Sequence, residues 1–127
     1  MGVILLIAAD WQFRALVRAQ LLEEGYEVQA FPDLEVALFH LERGGSRPRL
    51  AIVDSQGQRI EPDAVSRLWE LMDQGPLLLC AGLLDRGILD RAGMPPARLL
   101  VRPFCVGDVV TEVQRMGIWP QADRTDT

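Results

Sequence analysis

The chain has 127 residues, 49% hydrophobic and 24% charged, which suits one domain burying roughly two-thirds of its unfolded surface and is too short for a two-domain enzyme. Eighteen Asp and Glu against thirteen Arg set the net charge at -5, and no cluster of cations could neutralise a run of phosphates, which argues against a nucleic-acid partner. No apolar run approaches the roughly 20 residues of a membrane span and no basic segment precedes the first run, so the expectation is a cytoplasmic protein with no membrane partner.

Residues 3–8 form the first apolar run, and helical spacing follows at Phe13, Leu16, Val17 and Leu21 until Gly25 ends it. The second run, 28–31, precedes a stripe at Leu34, Ala37, Leu38 and Leu41, opened by Asp33 and closed by Gly44-Gly45. A third run, 50–53, leads to Asp54. Pro62 then suits the start of a helix on Val65, Leu68, Trp69 and Met72, stopped by Gly75-Pro76. The fourth run, 77–81, is followed by a weaker helix over 84–92 ended by Gly93, and the fifth, 99–101, by a helix on Val106, Val109, Val110 and Val113.

Most of these runs lack polar alternation, so the strands are buried on both faces. Five strand–helix units in strict alternation specify a doubly wound α/β fold: a flavodoxin-like (βα)5 parallel sheet with strand order 2-1-3-4-5. The domain is read as residues 1–117, with 118–127 a partly disordered tail. Ligands in such sheets sit at the carboxyl ends of the strands, which directs attention to Ala8, Ala9 and Asp10, then Asp54, then Ala81 and Gly82, then Arg102 and Pro103.

Lys and Asn are absent, as a GC-rich genome would arrange, and this excludes lysine Schiff-base chemistry. Cys80 and Cys105, 25 positions apart with a single His in the chain, indicate neither a zinc site nor a disulfide framework and read as buried thiols. No metal or cofactor is expected. His40 falls off its helix stripe and reads as a solvated histidine, while Trp69 reads as core. Trp11 stands at the mouth of the strand-end pocket, as cap, docking surface or loop packing. Ile118, Trp119 and Pro120 form an apolar patch that is either tucked in or kept for a partner.

LAIVD at 50–54, VRPF at 101–104, EEGYEV at 23–28 and the placement of Arg14 carry a resemblance to the receiver domain of bacterial two-component response regulators, from residue 3 to about 116. The resemblance implies that Asp54 stands at the phosphoacceptor position and that Arg102-Pro103-Phe104 replaces Lys-Pro-Phe, with a cis bond before the proline. It also exposes departures. Ala8 and Ala9 take the place of the acidic pair that holds Mg²⁺, with Asp10 one position beyond. Ala81 replaces the Ser or Thr ending strand 4, Leu99 the switch aromatic, and 55–61 the usual turn.

The combination implies a degenerate pseudo-receiver in which Asp54 either pairs with Arg102, since an unpaired carboxylate at the rim of an apolar sheet would cost several kcal/mol, or stands as a solvated remnant with no partner. The expected function is non-enzymatic signalling by contact with a protein partner or a second copy. The expected surface is the fourth helix, fifth strand and fifth helix: Ile88, Leu89, Arg91, Arg98, Asp108 and Glu112. Two alternatives stay open: a receiver phosphorylated on Asp54 by a histidine kinase, and a small-ligand-binding flavodoxin-like domain.

Overall fold

The computed structural model describes residues 2–44, 47–85, 87–91, 93 and 97–120. The elements run β1 (Ile4–Ile7), α1 (Trp11–Glu23), β2 (Val28–Phe31), α2 (Leu34–Glu42), β3 (Leu50–Asp54), α3 (Pro62–Leu71), β4 (Leu77–Ala81), a 3₁₀ turn (Leu83–Asp85), α4 (Ile88–Arg91), β5 (Arg98–Val101) and α5 (Val106–Arg115). All four strand pairings are parallel, and the order is β2-β1-β3-β4-β5, the flavodoxin-like arrangement expected from the sequence.

Every residue of β1, β3 and β4 is buried, whereas the edge strands β2 and β5 are only half-buried or exposed. Alternate side chains divide the core in two. Leu5, Ile7, Ala51, Val53, Leu77 and Leu79 meet α2, α3 and α4; Ile4, Leu6, Leu50, Ile52, Leu78 and Cys80 meet α1 and α5. The helix starts follow local chemistry. The carboxylate of Asp10 accepts the backbone N–H of Gln12 at 2.9 Å, that of Asp33 accepts Val36 N–H at 2.9 Å, and Pro62 occupies the first turn of α3, where its missing N–H costs nothing.

Three expectations need correction. The fourth helix is one turn, 88–91, preceded by the 3₁₀ turn, because Gly87 interrupts the segment read as continuous; Ala92 lies outside the described residues. Leu16, placed on the α1 stripe, is 58% exposed, since the buried face runs through Val17 and Leu21 with Phe13 beside it. The packed chain also continues past 117. Ile118 is buried, its carbonyl accepts the Tyr26 hydroxyl at 2.6 Å, and Pro120 stands against Gly25, while Trp119 faces solvent. Of the anticipated tail, 121–127 lie outside the described residues.

Candidate functional site

Asp54 is the last residue of β3 and is fully buried. Arg102 follows β5, held to β4 by its backbone N–H on Ala81 O at 2.8 Å, and the Arg102-Pro103 bond is cis as expected. This anchoring aims the guanidinium back across the strand ends. Its Nη1 and Nη2 donate to the two oxygens of Asp54 at 2.8 and 2.9 Å, a bidentate pair. The guanidinium also lies over the rings of Phe13, 5.3 Å to the centroid, and Phe104, 4.8 Å, which meet each other edge-on. With the charge paired and two aromatic rings packed beside the cation, the arginine is fixed in geometry, its side chain still 26% exposed.

The loop after β3 closes the other side. Gln56 N–H reaches Asp54 Oδ1 at 3.3 Å, and the Gln58 amide bridges outward, donating to Asp54 O at 2.8 Å and accepting the N–H of Leu34 at the start of α2. Ser55 is buried and donates its hydroxyl to Asp85 Oδ2 at 3.0 Å. Cys80 is the β4 neighbour of Asp54; burial, with the nearby Asp54 charge adding and Arg102 opposing, pushes its thiol up to about 12. It is a packed, unreactive thiol at neutral pH.

The floor of the pocket has no carboxylates to offer. Ala8 is fully buried, Ala9 half-buried, and Arg14 Nη1 donates to the Ala8 carbonyl at 2.6 Å. Asp10 is exposed and its carboxylate is turned back onto the α1 N–H groups. Gly57 folds so close over Ala9 that a β-carbon there would stand 3.3 Å from the alanine methyl. The Mg²⁺ ion that the receiver resemblance implies does not fit these residues. The side chains at 8 and 9 lack oxygen, both Asp54 oxygens face a guanidinium, and a second guanidinium sits on Ala8, so a divalent cation would meet two positive groups at short range. Ala81 is a fully buried methyl with no hydroxyl to present.

The expected contact surface is only partly present. Ile88 and Leu89 are buried beside α3, because the one-turn α4 turns its apolar side inward to seal the core. Glu112 is also buried, accepting from Arg98 Nη1 at 2.7 Å. Arg91, Arg98 and Asp108 remain exposed, joined by Leu99 at 37%, and Asp108 accepts the Cys105 N–H at 2.8 Å to cap α5.

Other readings also shift. Cys105 is exposed, since it caps α5 at the surface, and His40 is half-buried with its ring on Phe31, 5.1 Å between centroids. Trp69 is half-buried rather than fully core. Trp11 is 66% exposed at the pocket rim, where Leu83 and Leu84 of the 3₁₀ turn are 65% and 95% exposed. Sequence reasoning missed Asp85, Gln58, the Phe13–Phe104 cage and this leucine pair. The pair Leu83-Leu84 next to the strand-ending Ala81-Gly82 was its one available signal, hidden by starting a helix at Leu84.

No protein-family model and no curated protein matches the chain. Solved structures do. The receiver domain of NtrX from Brucella abortus superposes with a TM-score of 0.69 at 22% identity, over 88% of this chain and 95% of that one. A CheY-like response regulator receiver domain protein from Methanospirillum hungatei JF-1 gives 0.75 at 18%, over 91% and 93%. Chemotaxis protein CheY4 of Vibrio cholerae gives 0.72 at 20%, over 91% and 98%. The chain therefore has the receiver-domain fold.

Proposed function

We propose that this chain is a pseudo-receiver: a two-component-type signalling module that acts by contact with another protein and carries no phosphoryl chemistry at Asp54. The carrying observation is the bidentate Arg102–Asp54 pair standing over Ala8 and Ala9. Phosphoryl transfer rests on positioning and on neutralising the equatorial oxygens. Here the acceptor oxygens are already neutralised from within the chain, and the side chains at 8 and 9 offer a metal no ligand beside them. The reading assigns no catalytic residue and no cofactor.

The contact surface in this reading is α4, β5 and α5, reduced to Arg91, Arg98, Leu99 and Asp108, with the partner a second copy or a different protein. Charges of both signs around one exposed leucine provide register and a small apolar centre. Arg98 is unsuited to charge reversal because it holds the buried Glu112.

The first test incubates the full chain with acetyl phosphate and Mg²⁺, and separately with beryllofluoride and Mg²⁺, and follows intact mass and Trp11 fluorescence. No phosphoryl mass increment and no saturable fluorescence change are expected. An increment lost in Asp54→Asn would establish the phosphorylated-receiver alternative instead. For the surface, Arg91→Glu with Leu99→Ser is expected to weaken self-association or partner capture at unchanged melting temperature; unchanged association would remove this face from the proposal.

A further inference from the structure

At the amino ends of β4 and β5, opposite the Asp54 pocket, a cleft of about 390 Å³ opens between the ends of α3 and α5. Trp69, Pro76 and Met116 give it apolar walls, and Gln74, Arg98 and Arg115 give it polar ones. Its charge is unbalanced. The buried Glu112 beneath it takes one hydrogen bond from Arg98 Nη1, at 2.7 Å, while Arg115 Nη1 stands 3.7 Å from the other oxygen, beyond hydrogen-bond reach. Among the described residues one carboxylate thus answers two guanidiniums. Each guanidinium carries five N–H donors, and among the described residues one donor of Arg98 and none of Arg115 is hydrogen-bonded to the protein.

The chain turns sharply beside the aromatic wall. The chain leaves α3 through two consecutive left-handed residues, Asp73 with φ 55° and Gln74 with φ 60°, a conformation that costs a non-glycine residue and persists where surroundings enforce it. That turn brings Gln74 N–H onto the Trp69 carbonyl at 2.8 Å and places the Gln74 side chain on the cleft. The volume is within the range of small-molecule sites and larger than a bare inorganic anion requires.

We infer that this cleft binds a small anion carrying a flat ring, with the ring against Trp69 and a carboxylate or phosphate between Arg98 and Arg115. The inference is independent of the Asp54 pocket and shares only Arg98 with the contact surface proposed above. Glu112 needs one cation for its own burial, and Arg98 supplies it; Arg115 is the surplus charge that an incoming anion would engage. A carboxylate and a phosphate can each accept two parallel N–H bonds from a guanidinium, so the two sources are separated by experiment.

In the full chain, Trp11→Phe with Trp119→Phe leaves Trp69 as the sole tryptophan. This protein is titrated with benzoate, with adenosine monophosphate, and with inorganic phosphate and adenosine as half-ligands. The expected result is saturable Trp69 quenching by benzoate or by the nucleotide, with either half-ligand at least ~10-fold weaker. Arg115→Gln is expected to weaken the better ligand by roughly 10-fold or more, the worth of a hydrogen bond to a charged group. Benzoate as the stronger binder identifies a carboxylate ligand, the nucleotide a phosphate one. Absence of saturation by both at millimolar concentration overturns the proposal. So does saturation that Arg115→Gln leaves unchanged, provided its melting temperature matches the parent. Calorimetry on Trp69→Leu supplies the second variant: binding that survives loss of the indole would equally overturn it.

Discussion

Two arginine–carboxylate clusters stand at opposite ends of one parallel sheet, and they differ in how completely the charges are answered. At the carboxyl end, Asp54 and Arg102 match oxygen for nitrogen, the carboxylate is fully buried and two phenylalanine rings pack beside the guanidinium, whose side chain is 26% exposed. At the amino end, Glu112 holds Arg98 by one bond and Arg115 only loosely, and both arginine side chains are more than half exposed, 52% and 68%. The same chemistry therefore gives a closed structural element in one place and an unsatisfied surface in the other. Satisfaction of donors, more than the identity of the residues, separates them.

The largest effect belongs to the closed end. Arg102→Ala would leave Asp54 buried with no cation, and loss of one member of a buried pair costs about 3–5 kcal/mol. Denaturant unfolding of Arg102→Ala measures it. The double variant Asp54→Leu with Arg102→Met removes both charges and is expected to recover most of the loss, as apolar replacements of buried pairs do. Equal stability of parent and Arg102→Ala would show that water reaches Asp54 and that the end is not closed.

Arg98→Gln probes the open end. Glu112 is buried but loses one hydrogen bond, with Arg115 near enough to take it up, so the expected cost is about 1–3 kcal/mol by the same denaturant measurement. A cost equal to that of Arg102→Ala would make the two ends energetically alike and dissolve the distinction.

Cys80 reports on the closed end through pH. Its thiol is raised from an ordinary 9.0 to about 12, first by burial and then by the Asp54 charge. Below pH 9 folded and unfolded chains both carry the proton and the group contributes no pH dependence. Between 9 and 12 only the unfolded chain releases it, so stability falls as pH rises, by about 1.4 kcal/mol per unit. Tyr26, raised from 10.0 chiefly by burial, acts in the same direction. The difference between the parent and Cys80→Ala from pH 9 to 11 isolates the thiol; parallel curves would mean the site is solvated.

The closed end was legible in the sequence because its parts stand at strand ends, where the β-run pattern fixes position to within a residue: Asp54 after 50–53 and Arg102 after 99–101. The alternation of strand and helix pointed to a parallel sheet, and the order 2-1-3-4-5 came with the flavodoxin-like class. The covering parts were not legible. Phe13 and Phe104 are far apart in the chain and meet only because α1 and the loop after β5 share a face. Ser55 finds Asp85 across 30 positions. The open end was invisible for a different cause: Arg98 and Glu112 read as charges of a contact surface, Arg115 carried no signal of its own, and only packing shows that Glu112 is covered and has two cations beside it. Ile88 and Leu89 were misplaced because a nine-residue helix would have turned a different face outward than the single turn that forms.

Arg115→Gln is expected to change stability least, within about 0.5 kcal/mol, because the guanidinium is 68% exposed, makes no hydrogen bond to Glu112 and stands on α5 three residues away, where exposed pairs contribute a few tenths of a kcal/mol. That small cost gives the variant its diagnostic value. If thermal melting shows Arg115→Gln folded like the parent, then its side chain is not retained for stability, and the surplus positive charge over Glu112 is free to serve a ligand. A loss comparable to that of Arg98→Gln would mean instead that Glu112 needs both cations. The amino end would then be a closed cluster like the one at Asp54, with the cleft beside it merely a gap between helix ends.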